Sequence, residues 1–137
     1  MDWLHDVSTF FGGAFLANAV WLYDGSYFFG GAFLANAVPH FVSGMMGRPF
    51  QSPFAKPSGE GLSSSTVNVL WGFANFVIAY LLIARVGNFD LRATDNVIAS
   101  GVGVLLMGVM SARLFGRFHG GNPSRVADCC QAPTSRQ

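Results

Sequence analysis

Read by polarity, the chain is a series of long apolar runs broken by short charged punctuation. Seventeen uncharged residues separate Asp6 from Asp24, 23 separate Asp24 from Arg48, 24 separate Glu60 from Arg85 and 17 separate Asp95 from Arg113. A helix needs about 20 mostly apolar residues to cross roughly 30 Å of hydrocarbon, with about 17 as the lower limit. The pattern therefore predicts an all-α, small polytopic membrane protein. Four transmembrane helices are expected, over about residues 7–23, 25–46, 66–84 and 96–115, with three as the alternative. They form one transmembrane domain over residues 1–118, followed by a tail. Composition agrees: 15 of the 137 residues are charged, where a soluble domain has about a quarter. A soluble bundle would need polar helix faces that these runs do not offer.

The first two runs are a tandem repeat. Residues 3–20, WLHDVSTFFGGAFLANAV, and 21–38, WLYDGSYFFGGAFLANAV, agree at 15 of 18 positions and differ at His5/Tyr23, Val7/Gly25 and Thr9/Tyr27. Asp24-Gly25 is a turn dipeptide, so the repeat predicts a duplicated helical hairpin with its tip near Asp24. The rival is one continuous helix. Eighteen residues make five turns, which would put both copies on one face. A helix of about 40 residues would reach about 60 Å, twice the hydrocarbon thickness, and this favours the hairpin.

Polar residues inside the runs are the candidate chemistry. Asn36 and His40 lie four apart beside Pro39, where a kink is expected. Asn68 and Asn75 lie seven apart and share a face. These four residues are a candidate intramembrane polar site, with plain interhelical hydrogen bonding as the blander account. Small residues mark the expected packing faces: Gly12 and Gly13 in copy one, Gly30 and Gly31 in copy two, Gly72, and Gly101, Gly103 and Gly108 in the last run. In bilayers such residues let helix backbones approach closely.

Residues 47–65, with prolines at 49, 53 and 57, form the longest polar connection. That proline density forbids a regular helix, and Phe50 and Phe54 are expected to dip into the membrane interface. The serines at 63–65 and Thr66 offer an N-cap for the third run, and Thr94 or Asp95 for the last. The tail, 119–137, is rich in Gly, Pro, Ser and Arg and is expected to be disordered. Its adjacent Cys129 and Cys130 build no disulfide framework. Arg48, Lys56, Arg113, Arg117, Arg125 and Arg136 fall on one side of the runs against Arg85 and Arg92 on the other. This puts the proline loop and the tail in the cytoplasm.

The stretch GGAFLANAVPHFVSGMMGRPFQSPFAKPSGEGLSSSTVNVLWGFANF resembles one found in small bacterial inner-membrane proteins to which no activity attaches. The resemblance runs over roughly residues 21–118 and leaves residues 3–20 as an added copy. It implies a multi-pass protein of the inner membrane and carries no functional residues over.

Several function classes drop out. A net charge of +1 without a Lys/Arg stripe gives no nucleic-acid partner. No run holds an interior Asp, Glu, Lys or Arg, which ion- and proton-coupled carriers place at mid-membrane. His5, His40 and His119 are scattered with no metal-ligand spacing, and no nucleophile–base pair stands out. The expectation is a non-enzymatic membrane protein without cofactor or metal, a packing or accessory module whose partners are the bilayer and a homo-oligomer or larger complex. The alternative is a small transport or channel subunit with an Asn/His-lined path.

Overall fold

A computed structural model describes residues 3–121; within residues 3–20 it describes the backbone and, of the side-chain positions, Thr9 and Gly13. The described residues form three helices: α1 (Trp3–Met45), α2 (Ser65–Ala84) and α3 (Thr94–His119). Between α1 and α2 lie two short antiparallel strands, β1 (Phe50–Gln51) and β2 (Leu62–Ser63), in the register Phe50↔Ser63 and Gln51↔Leu62. Both α2 and α3 are long and apolar enough to cross a membrane.

The expected hairpin is corrected: the two repeat copies run on as one helix, and the four expected spans become three helices. Gly25 keeps a helical backbone rather than the positive φ of a turn glycine. A glycine inside a helix costs only about 1 kcal/mol, and tertiary contacts around it outweigh that. Ser26 Oγ donates to the Leu82 carbonyl at 2.5 Å, and the Tyr27 ring meets Phe89 edge-on at 5.1 Å. Both contacts need Ser26 and Tyr27 on the helical face that α2 and its connection cover. The helix passes through Pro39 and ends at Met45, and Gly47, with φ +70°, follows it. There the Arg48 N–H reaches Ser43 O and the Gly47 N–H reaches Gly44 O, both at 3.0 Å, which closes the last turn in a Schellman motif.

The spine of the fold is α1. It packs against both α2, which runs antiparallel to it, and α3, while α2 and α3 barely touch each other. The α1–α2 seam runs from Gly44, against Ser65 and Val69, to Gly30, against Leu82 and Ile83. In between, a methyl group at Gly72 would sit 2.6 Å from the Phe41 nitrogen. The α1–α3 seam is reciprocal: a methyl at Gly31 would collide with the Ser100 carbonyl oxygen, and one at Gly103 with the Phe28 carbonyl oxygen. Gly30, Gly31, Gly72 and Gly103 therefore hold the packing faces. Gly13, Gly101 and Gly108 do not, because each looks into open space. The surroundings of Gly12 lie outside the described residues.

Polarity is inverted relative to a water-soluble bundle. The buried stripe of α2 is Asn68, Gly72, Asn75 and Ala79, with no large apolar side chain, and Gly103 is the buried residue of α3. The large apolar side chains face outward, with Leu70 63% and Leu105 64% exposed.

Residues 3–20 extend α1 by about 27 Å past the level where Tyr23 meets Gly87 in the α2–α3 connection. Deleting them is expected to leave the three-helix body intact, because the seams described above are made by residues from Phe28 onward. The thermal midpoint of the detergent-solubilised deletion variant should stay within a few degrees of the full chain. A large drop in midpoint would make copy one part of the core.

Candidate functional site

The four polar residues singled out in the runs all face the α1–α2 seam. Helical spacing puts Asn36 and His40 one turn apart on α1, opposite Asn75 and Asn68 on α2. Asn36 Nδ2 donates to Asn75 Oδ1 at 3.0 Å, and Asn75 Nδ2 donates back to the Trp71 carbonyl at 2.7 Å. One turn further on, His40 Nδ1 lies 3.0 Å from Asn68 Oδ1. Asn68 Nδ2 sits 3.1 Å from three carbonyl oxygens, those of Phe50, Ser63 and Ser64. Both Asn68 and Asn75 are 0% exposed.

The carbonyls fix the chemistry of the pair. Flipping the Asn68 amide would face its oxygen toward three other oxygens, so Oδ1 must point at His40. An amide oxygen only accepts, so His40 Nδ1 carries the proton and donates it. In the neutral ring Nε2 is then a bare acceptor.

The proline loop completes the site. As expected, no regular helix forms here, but Phe50 does not dip outward. It plugs the end of the bundle, edge-on to His40 at 5.4 Å, 4.7 Å from Phe115 and stacked on His119 at 5.2 Å. Phe54 stays exposed and meets Trp71 at 5.1 Å. Behind Phe50, Gln51 and Ser52 are buried. Ser52 Oγ shares a 2.6 Å hydrogen bond with Ser63 Oγ, and Gln51 Oε1 pairs with His119 Nε2 at 3.0 Å. His119, expected to open a disordered tail, is thus the last residue of α3 and closes the loop against it. Residues 122–137, including Cys129 and Cys130, lie outside the described residues. Ser64 caps α2, its side chain accepting from the Val67 N–H. Neither Thr94 nor Asp95 caps α3: its N-cap is Ala93, with no side-chain bond, and Asp95 falls in the first turn.

Beside this cluster lies a cavity of about 210 Å³, lined by Asn36, His40, Gln51, Trp71 and Phe115 among others. At the opposite end of the bundle a more polar hollow of about 350 Å³ is lined by Tyr27, Asp24, Arg85 and Asp95. No three His, Cys, Asp or Glu side chains among the described residues could hold a metal ion together. Sequence reasoning missed Gln51, Ser52, Gly44 and His119. Gly44 continues the four-residue step His40–Gly44 and could have been found that way, whereas no local signal marks Gln51 or Ser52.

No protein-family model matches the chain, and no curated protein or solved structure is significantly similar to it.

Proposed function

We propose that the chain is an integral membrane protein crossing the bilayer three times, and that it acts as a non-enzymatic helix-packing or accessory module. The observation that carries this is the inverted polarity: the Asn68, Asn75 and His40 side chains are inside, and the Leu, Val, Phe and Met side chains of α1, α2 and α3 are outside. Water would penalise both halves of that arrangement, whereas a bilayer accepts the outside and interhelical hydrogen bonds satisfy the inside.

Support for a packing role over transport comes from how the four polar residues are used. A channel or carrier subunit would have them line one continuous path. Instead they form two separate contacts, with the Asn68 and Asn75 amides consumed by protein partners. The outward positions of Gly101 and Gly108 on α3 suit a further helix, from a second copy or a larger complex.

The basic residues place the proline loop in the cytoplasm, and the bacterial inner membrane is the bilayer we assign. With three crossings the N-terminus is then periplasmic. Two measurements test the proposal. Alkaline carbonate should leave the chain in the membrane pellet, and release into the supernatant sinks the membrane assignment. Ser58→Cys in intact cells should resist an impermeant thiol reagent, and efficient labelling reverses the orientation.

A further inference from the structure

The cavity beside His40 is built from polar atoms that the fold leaves without partners. His40 and Gln51 are each 3% exposed. The Nδ1–H of His40 is engaged by Asn68, which leaves Nε2 as an acceptor, and the oxygen of Gln51 is engaged by His119, which leaves its NH₂ as a donor. Among the described residues no fully occluded side-chain nitrogen or oxygen lacks a hydrogen-bond partner. These two atoms therefore touch open space, and the open space both residues line is this cavity. The half-buried Asn36, whose nitrogen is given to Asn75, adds an amide oxygen to the same lining. Trp71, Leu114 and Phe115 also line it. The cavity thus combines two acceptors and one donor with aromatic and aliphatic surface.

A closed cavity of about 150 Å³ holds benzene, so this hollow of about 210 Å³, which opens to the surface, takes a six-membered ring with one or two small substituents. The acceptor at Nε2 asks for a hydroxyl or amine hydrogen on that ring, and the Gln51 NH₂ asks for an oxygen. A ring cation would find no carboxylate on the cavity wall, whereas a neutral hydroxyl meets all three polar groups. We propose that this cavity is a binding site for a monocyclic aromatic hydroxyl compound, of the phenol or hydroquinone class, with its hydroxyl on His40 Nε2 and its ring against Trp71 and Phe115. A site built to receive a hydroxyl discriminates strongly against the analogue without one, because the buried acceptor is then left unpaired.

The test is equilibrium binding of hydroquinone, phenol and toluene to the detergent-solubilised full chain, read by ligand-observed saturation-transfer NMR and by calorimetry. Hydroquinone and phenol should bind at least tenfold tighter than toluene. Leu114→Trp, which narrows the cavity without touching its polar wall, should abolish binding of all three. His40→Phe should erase the preference for the hydroxyl compounds, and circular dichroism on both variants establishes that the helices are formed. Should His40→Phe fail to fold, Gln51→Leu takes its place and should weaken hydroquinone binding more than phenol binding. Equal affinity for phenol and toluene in the wild-type chain overturns the proposal. So does the absence of binding by any ring, which would make the cavity a site for water, and so does unchanged binding in Leu114→Trp.

Discussion

Asn68→Leu is expected to destabilise the detergent-solubilised protein by on the order of 3 kcal/mol and to release the proline loop. The side chain is close in size, so the loss is one of partners rather than of volume. An ordinary interhelical polar contact in a membrane protein contributes about 0.6 kcal/mol, and Asn36–Asn75 belongs in that range. Asn68 differs because its amide ties three parts of the chain together: the His40 ring on α1, the Phe50 carbonyl in β1 and the Ser63 carbonyl in β2. Substitution strands the imidazole N–H of His40, at about 1–3 kcal/mol for an orphaned buried group, and removes the amide that bridges the Phe50 and Ser63 carbonyls. Ser64→Ala, four residues away, removes a cap worth about 1 kcal/mol and is the reference. The two variants are compared by thermal unfolding and by protease nicking within residues 47–64. Asn68→Leu should unfold at the lower temperature and be cut faster. Equal behaviour would mean that Phe50 is seated by its ring contacts alone.

Much of this site was legible before the structure. Seven-residue spacing put Asn68 and Asn75 on one face, and four-residue spacing put Asn36 and His40 on another. The structure sets those two faces against each other. The bounds of α2 followed from its uncharged run, and Ser64 from its place before it. What could not be read has physical causes. The hairpin expectation weighed a turn dipeptide against bilayer thickness, both local arguments. The outcome rests on Tyr27 meeting Phe89 and Ser26 meeting Leu82, contacts made with residues 56 or more positions away. The seat of Phe50 was likewise invisible, because it is made by Phe115 and His119 from the far end of the chain. The glycines expose a further limit. In a water-soluble helix the apolar side marks the inside. In α3 both sides are apolar, so periodicity named Gly101, Gly103 and Gly108 alike, and only Gly103 turned out to meet a neighbour.

That difference among glycines makes the second prediction sharp. Gly103→Leu should cost about 3 kcal/mol, the upper end of what overpacking takes, because the added side chain starts inside the Phe28 carbonyl of α1. A carbonyl in the middle of a helix cannot swing away as a side chain can, so α3 as a whole must move off α1. That movement opens the reciprocal contact at Gly31 and Ser100 as well. Nothing compensates, since helices in a bilayer or micelle are not driven together by water. Val104→Leu, one residue on, changes an exposed side chain for one slightly larger and should stay within about 0.5 kcal/mol. Gly101→Leu meets open space and should leave the unfolding midpoint alone; if a second copy packs on that face, it should lower the oligomer mass in detergent instead. The order expected from thermal unfolding is therefore Gly103→Leu far below wild type, with Val104→Leu and Gly101→Leu close to it. A midpoint for Gly103→Leu equal to that of Val104→Leu would mean that α3 does not rest on the backbone of α1, and the seam through Phe28, Gly31, Ser100 and Gly103 would have to be abandoned.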